Sequence, residues 1–159
     1  MPLLMHMANI QGESKIEQGW MTAESFQWGG SRSGALQTGG TYGRSGTFAA
    51  VQLTGLFVSR LADSTSALLW NEMVAGATAL LKFKWMRTSP GSEVPVPYME
   101  AEFRNAKITR ISATAGGDRP SEALEFTYSE VEFRVINIGD SLSGAQDVVS
   151  YVLPSHAQG

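Results

Sequence analysis

The sequence predicts a mainly β domain: a small bent-sheet barrel or sandwich of two sheets carrying one docked α-helix at about residues 66–75. Three observations carry this. Residues 79–86, ALLKFKWM, put Ala79, Leu81, Phe83 and Trp85 on one parity and Lys82 and Lys84 on the other, the period of a half-buried strand. Two later runs, 98–111 and 124–136, each start with apolar residues in one parity and finish with them in the other, as a strand serving two packed layers must. One segment alone carries a consistent set of helix signals.

The bounds set by composition agree. At 159 residues with 43% hydrophobic and 17% charged, the chain reads as one domain over 1–159, long enough for a core without staples. A net charge of −3 gives no electrostatic reason to seek a nucleic-acid backbone or an anionic membrane. With Cys 0, disulfides, thiolate nucleophiles and cysteine zinc sites are excluded together. The two histidines, His6 and His156, lie at opposite ends and build no metal cage. The opening MPLLMHMANI has no basic n-region and no window reaches the length of a membrane span, so the expectation is a protein made in the cytoplasm without a cleaved signal.

The elements follow in order. A first strand is expected around Met5, His6 and Met7. Residues 20–28, WMTAESFQW, read as one strand with Trp20, Thr22, Glu24, Phe26 and Trp28 on a shared face, a mixture of aromatic and charged groups that suits contact with another subunit. Between it and the next strand lies GGSRSGALQTGGTYGRSG, residues 29–46, with seven glycines in eighteen residues; connections this long are functional or disordered. Residues 48–54, FAAVQLT, read as a strand with Ala49, Val51 and Leu53 on one face. The helix then takes Ser66 as N-cap, Leu69, Trp70, Met73 and Val74 as its apolar stripe and Gly76 as its stop, with Trp70 and Met73 holding it on the sheet. After ALLKFKWM, in which Trp85 is a core position like Trp70, residues 88–98 with Pro90, Pro95 and Pro97 make a turn and extended chain. In 98–111, Ala101 and Phe103 give way to Ala106 and Ile108, which places a bulge or sharp bend near Asn105. In 124–136, Leu124, Phe126 and Tyr128 give way to Val131, Phe133 and Val135. The tail 154–159, with His156, is short and polar.

Catalytic chemistry is sparse. The string GSRSG at 30–34 has Arg32 where a nucleophile elbow needs serine, and no phosphate-cradle motif occurs. Glu100 with Glu102, and Glu130 with Glu132, could flank a glycosidic bond, but charges at i and i+2 with apolar alternates are what a solvated strand face looks like. The expectation is no enzyme, no cofactor and no metal.

At this point the motifs fall into a known order. IQGES at 10–14, then Gly19-Trp20, then SFQWG at 25–29, resemble the N-terminal signature of the Hcp family (haemolysin-coregulated protein), the tube proteins of bacterial type VI secretion systems. Asp63, Ser66, Leu69 and Gly76 fall where that family has its single helix, ALLKFKW follows as expected, and GGDRPSEALEFTYSEVEF at 116–133 is similar to its late acidic strand. The resemblance runs from about Leu3 to Leu153. Ala67 departs from it, standing where proline is frequent, and is itself a good helix former. No effector-like C-terminal extension is expected.

The resemblance implies a homo-hexameric ring that stacks head to tail into a hollow tube inside contractile sheath proteins, with a spike protein at the tip and small effector proteins in the lumen, secreted through the apparatus. On that reading Arg32, Leu36, Gln37, Thr38, Tyr42 and Arg44 of the glycine-rich loop make ring-to-ring contact, and Trp20, Glu24 and Trp28, with exposed strand edges, make the ring interface. The neighbouring readings are a tail-tube protein of a phage or extracellular contractile particle and, in another class, a ligand-binding β-barrel carrier.

Overall fold

The computed structural model describes residues 2–31, 52–88 and 94–136 and the backbone of 147–152. In chain order the elements are β1 (Leu3–Met7), β2 (Met21–Ala23), β3 (Ser25–Gln27), β4 (Gly30–Ser31), β5 (Gln52–Leu53), β6 (Leu56–Leu61), α1 (Ser66–Ala75), β7 (Ala79–Arg87), β8 (Val96–Thr114), β9 (Ser121–Thr127), β10 (Glu130–Val135) and β11 (Asp147–Val152). The strands make two antiparallel layers that share β8. Its first half lies between β7 and β10, in the order β2-β1-β7-β8-β10-β11, and its second half pairs with β9 in the order β8-β9-β6-β3. A two-stranded β4–β5 hairpin stands apart.

The crossing between layers occurs where the alternation changes phase. Asn105 has φ +55°, a left-handed conformation that asparagine tolerates better than most residues, and it turns the inward parity from Ala101 and Phe103 to Ala106 and Ile108. A second register shift, between Ile108 and Arg110, restores the parity so that Ile111 points inward again. The expected single strand over 124–136 is two strands, broken at Tyr128 and Ser129. The two bends are bonded together: Asn105 Nδ2 donates to Ser129 Oγ at 2.6 Å and Ser129 N–H donates to the Arg104 carbonyl at 3.0 Å. Both chains therefore change layer at the same level.

The expected strand over 20–28 is likewise two, broken at Glu24, whose N–H donates to the Ser59 carbonyl at 2.8 Å. β2 pairs with β1 and β3 pairs with β6, so the short connection closes the far ends of the two layers onto each other. Of the strand expected over 48–54, only β5 falls within the described residues.

The core fills the space between the layers with Phe83, Phe103 and Phe126, all fully buried, and with Met5, Met7, Met21, Leu56, Leu81 and Leu124. Phe26 meets Phe83 edge-on at 4.9 Å, and Phe103 meets Tyr128 edge-on at 4.9 Å. Trp85 is only partly buried, packed at the margin against Phe26.

The helix differs from expectation at its start and in its packing. Thr65, not Ser66, occupies the N-cap position, and its hydroxyl is engaged by Arg60 and Asp63 instead of the helix amides; Ser66 Oγ accepts from Asp63 N–H at 3.1 Å. Leu69 is buried and Met73 half-buried, one i, i+4 ridge against the core, whereas Trp70 is 40% and Val74 80% exposed. A ten-residue helix touching the sheet along one ridge covers only that ridge, so the stripe is half as wide as its apolar composition suggests. Gly76 ends it at φ +66°, donating to the carbonyls of Glu72 and Met73, as expected.

Candidate functional site

The outer face of the β7-β8-β10 layer carries alternate residues of three strands: Lys82 and Lys84, then Glu100, Glu102 and Arg104, then Glu130, Glu132 and Arg134. Register sets Lys82 opposite Glu102 and Glu102 opposite Glu132, so two carboxylates face each other across a strand pair. Arg104 resolves that repulsion. Its Nη2 lies 3.3 Å from Glu102 Oε1 and 3.0 Å from Glu132 Oε2, and its Nη1 lies 3.5 Å from Glu130. Arg134 reaches Glu132 Oε1 at 3.1 Å and Glu100 at 3.6 Å. Hydrogen bonds from Arg104 and then Arg134 hold the Glu132 carboxyl below its ordinary range, so it stands ionised and is a poor general acid. The carboxylate pairs singled out in sequence thus form an ion-pair lattice with guanidinium partners, as a structural strand face does.

At the edge of this lattice Lys84 Nζ is held by Glu17 at 2.9 Å and lies 4.5 Å from the centre of the Trp20 ring. Trp20 is buried over Leu4 and Met86. Trp28 belongs elsewhere: it packs edge-on against Phe103 at 5.6 Å and its Nε1–H donates to the Tyr128 hydroxyl, which donates to the Thr54 carbonyl at 2.9 Å. Burial pushes the Tyr128 phenol up, and the Trp28 hydrogen bond opposes it only in part. Glu24, exposed at the break, lies between them. The shared face expected of Trp20, Glu24 and Trp28 is therefore corrected: the backbone turns at Glu24, and the two indoles pack on opposite sides of it. Arg32, Leu36, Gln37, Thr38, Tyr42 and Arg44 lie outside the described residues.

A buried polar cluster escaped sequence reasoning. Arg60, fully buried, places Nη1 3.1 Å from Glu122 and Nη2 2.8 Å from the Thr65 hydroxyl, with Asp63 bound to the same nitrogen. It ties β6, β9 and the entry to α1 together. The available signal was an arginine at an inward parity of LFVSRL, followed three residues later by aspartate.

Against this geometry, the family model described as type VI secretion system effector, Hcp, matches residues 4–135. The chain belongs to the Hcp family. Solved Hcp structures share the fold throughout: Hcp1 from E. coli EAEC 042 at TM-score 0.76 and 16% identity, covering 96% of this chain and 98% of that one; Hcp1 from Salmonella typhimurium at 0.72 and 18%, covering 96% and 94%; and the secreted protein Hcp3 from Pseudomonas aeruginosa at 0.67 and 13%, covering 97% and 99%. No curated protein matches this chain. As an Hcp protein it is a tube subunit of the type VI secretion system, and the family is a structural one. Among the described residues no helix is long and apolar enough to cross a membrane, and no group of acidic or histidine side chains is placed to hold a metal.

Proposed function

We propose that this Hcp protein assembles into six-membered rings that stack head to tail into a hollow tube, propelled by a contracting sheath behind a spike and carrying small effector proteins to a target cell. Membership of the Hcp family is the observation that carries the reading. The strand edges support it. In the β8-β9-β6-β3 layer, β3 ends the order and the second half of β8 has no strand on its other side among the described residues. A layer open at both edges can pair with a neighbour on each side, and a heterologous contact repeated about an axis closes a ring. Of Trp20, Glu24 and Trp28, the residues expected at the ring interface, Glu24 is exposed at the closure beside β3 and is the one retained in this reading, whereas Trp20 is buried within the subunit and Trp28 is packed against its core. The loop residues Arg32, Leu36, Gln37, Thr38, Tyr42 and Arg44 remain the proposed ring-to-ring contact, argued from a stretch too glycine-rich to build a core of its own.

Native mass and negative-stain images across a concentration series test the assembly. Six-membered rings, or tubes made of them, are expected; a strict monomer at high concentration overturns the reading and favours a carrier barrel. Deleting residues 36–42 is expected to leave rings intact and abolish tubes, whereas tubes of normal length after the deletion would remove the loop from the stacking contact.

A further inference from the structure

Residues 12–20 form a tight excursion between β1 and β2 that folds back over the outer face of β1 and β7. Gly12 N–H donates to the Gly19 carbonyl at 2.9 Å, Ser14 N–H to the Trp20 carbonyl at 2.8 Å and Trp20 N–H to the Glu17 carbonyl at 3.2 Å. The packing admits only glycine at position 12, where a Cβ would lie 2.2 Å from the Trp20 carbonyl oxygen. Side-chain contacts fasten the strap: Trp20 over Leu4 and Met86, Glu17 on Lys84, Lys84 Nζ 4.5 Å from the Trp20 ring, the Trp20 ring against the His6 imidazole at 5.2 Å, and, at its start, Glu13 accepting from the Ser64 hydroxyl at 2.6 Å.

We propose that this strap is released by mild acid, with His6 as the group that opens it. His6 sits on β1 beneath Trp20. The charged groups facing it are Lys82 and Lys84 from β7 and Glu17 from the strap, while β2, Met21–Ala23, brings none. A proton on His6 therefore adds a third cation beside Lys82 and Lys84, with Glu17 already bound to Lys84 and the register partners of the two lysines, Glu102 and Glu100, one strand farther off on β8, in a half-buried position against the Trp20 indole. Lifting the strap hydrates the imidazolium and screens it from the two lysines. Burial first, then Lys82, hold the His6 pKa below the ordinary histidine value while the strap is closed. The sign follows: the open form takes the proton more readily, so the closed form is favoured at neutral pH and loses ground as pH falls below the ordinary histidine value. Opening uncovers Leu4 and Met86. The inference does not depend on the ring reading, because each contact lies within one chain.

Hydrogen–deuterium exchange on the full chain at about pH 7.5 and about pH 5.5, corrected for the intrinsic chemical rate, reads the strap directly. Peptides covering 13–20 are expected to exchange about threefold faster or more at the lower pH, while β7 and β8 keep their protection and His6→Gln loses the response. The His6 imidazole resonance in the unaltered protein gives a second readout, with a midpoint below that of free histidine expected. Equal strap protection at both pH values, the same loss in His6→Gln, or a midpoint at or above free histidine overturns the proposal.

Discussion

Arg60 shows how one side chain can join parts of the fold that sequence distance keeps apart. Its guanidinium is fully buried, and both Glu122 and Asp63 depend on it for a counter-charge. Arg60→Ala is expected to lower stability by about 3–5 kcal/mol, because it leaves two poorly solvated carboxylates without a cation; chemical denaturation measures it. The same cluster sets an acid limit. Burial raises the Asp63 carboxyl, but hydrogen bonds from Arg60 and Thr65 outweigh it and bring the group below its unfolded value of 3.8. The stability this supplies is complete above the unfolded value and is lost as pH falls through the folded one, and Glu132 acts in the same direction. A urea midpoint that falls as pH drops below about 4, in addition to any change His6 brings nearer neutrality, is expected, with a smaller fall in this acid range for Asp63→Asn. In the core, Phe126→Ala is expected to cost about 3–5 kcal/mol and Trp85→Ala less, since Phe126 has no exposure and Trp85 sits at the margin; comparing the two melting temperatures checks the ranking.

At the scale of the element, α1 is docked through Leu69 and Met73 while Leu68, Trp70 and Val74 face outward. Leu69→Ala is expected to destabilise by about 2–5 kcal/mol and Val74→Ala by no more than about 0.5 kcal/mol in either direction. Gly76→Ala adds strain at a left-handed position and is expected to cost about 1 kcal/mol, although its Cβ would find ordinary room beside Lys107. Thermal melts of the three variants separate these outcomes. The helix end was legible because Gly76 is a local signal, and its start was read one residue late, with Ser66 taken for the cap position that Thr65 holds. Its buried face was not legible, because Leu68, Leu69, Trp70, Met73 and Val74 spread round a ten-residue helix leave the choice of ridge to whatever it meets. The bend of β8 was legible for the opposite reason: a change of parity at Asn105 is itself a record of two surroundings. β6 was missed because Arg60 interrupts its inward apolar row, and the break at Glu24 because WMTAESFQW keeps an unbroken alternation through a turn that only its two different partner strands impose.

Across the described residues, two sheets share one long strand and close where β2 turns into β3, and within those residues the β8-β9-β6-β3 layer has no further strand beside β3 or along the second half of β8. Fold class, the inward residues of β7, the first half of β8 and β9, and the family were legible in the sequence, since periodicity and short motifs are held by residues close along the chain. That Glu102 faces Glu132 with Arg104 between them, that Arg60 meets Glu122, and that Trp20 and Trp28 part company at Glu24 emerge from the three-dimensional fold alone. Those outcomes depend on which strands become neighbours and in what register. Pairings across tens of residues are fixed by packing the whole core at once, and no local pattern carries them.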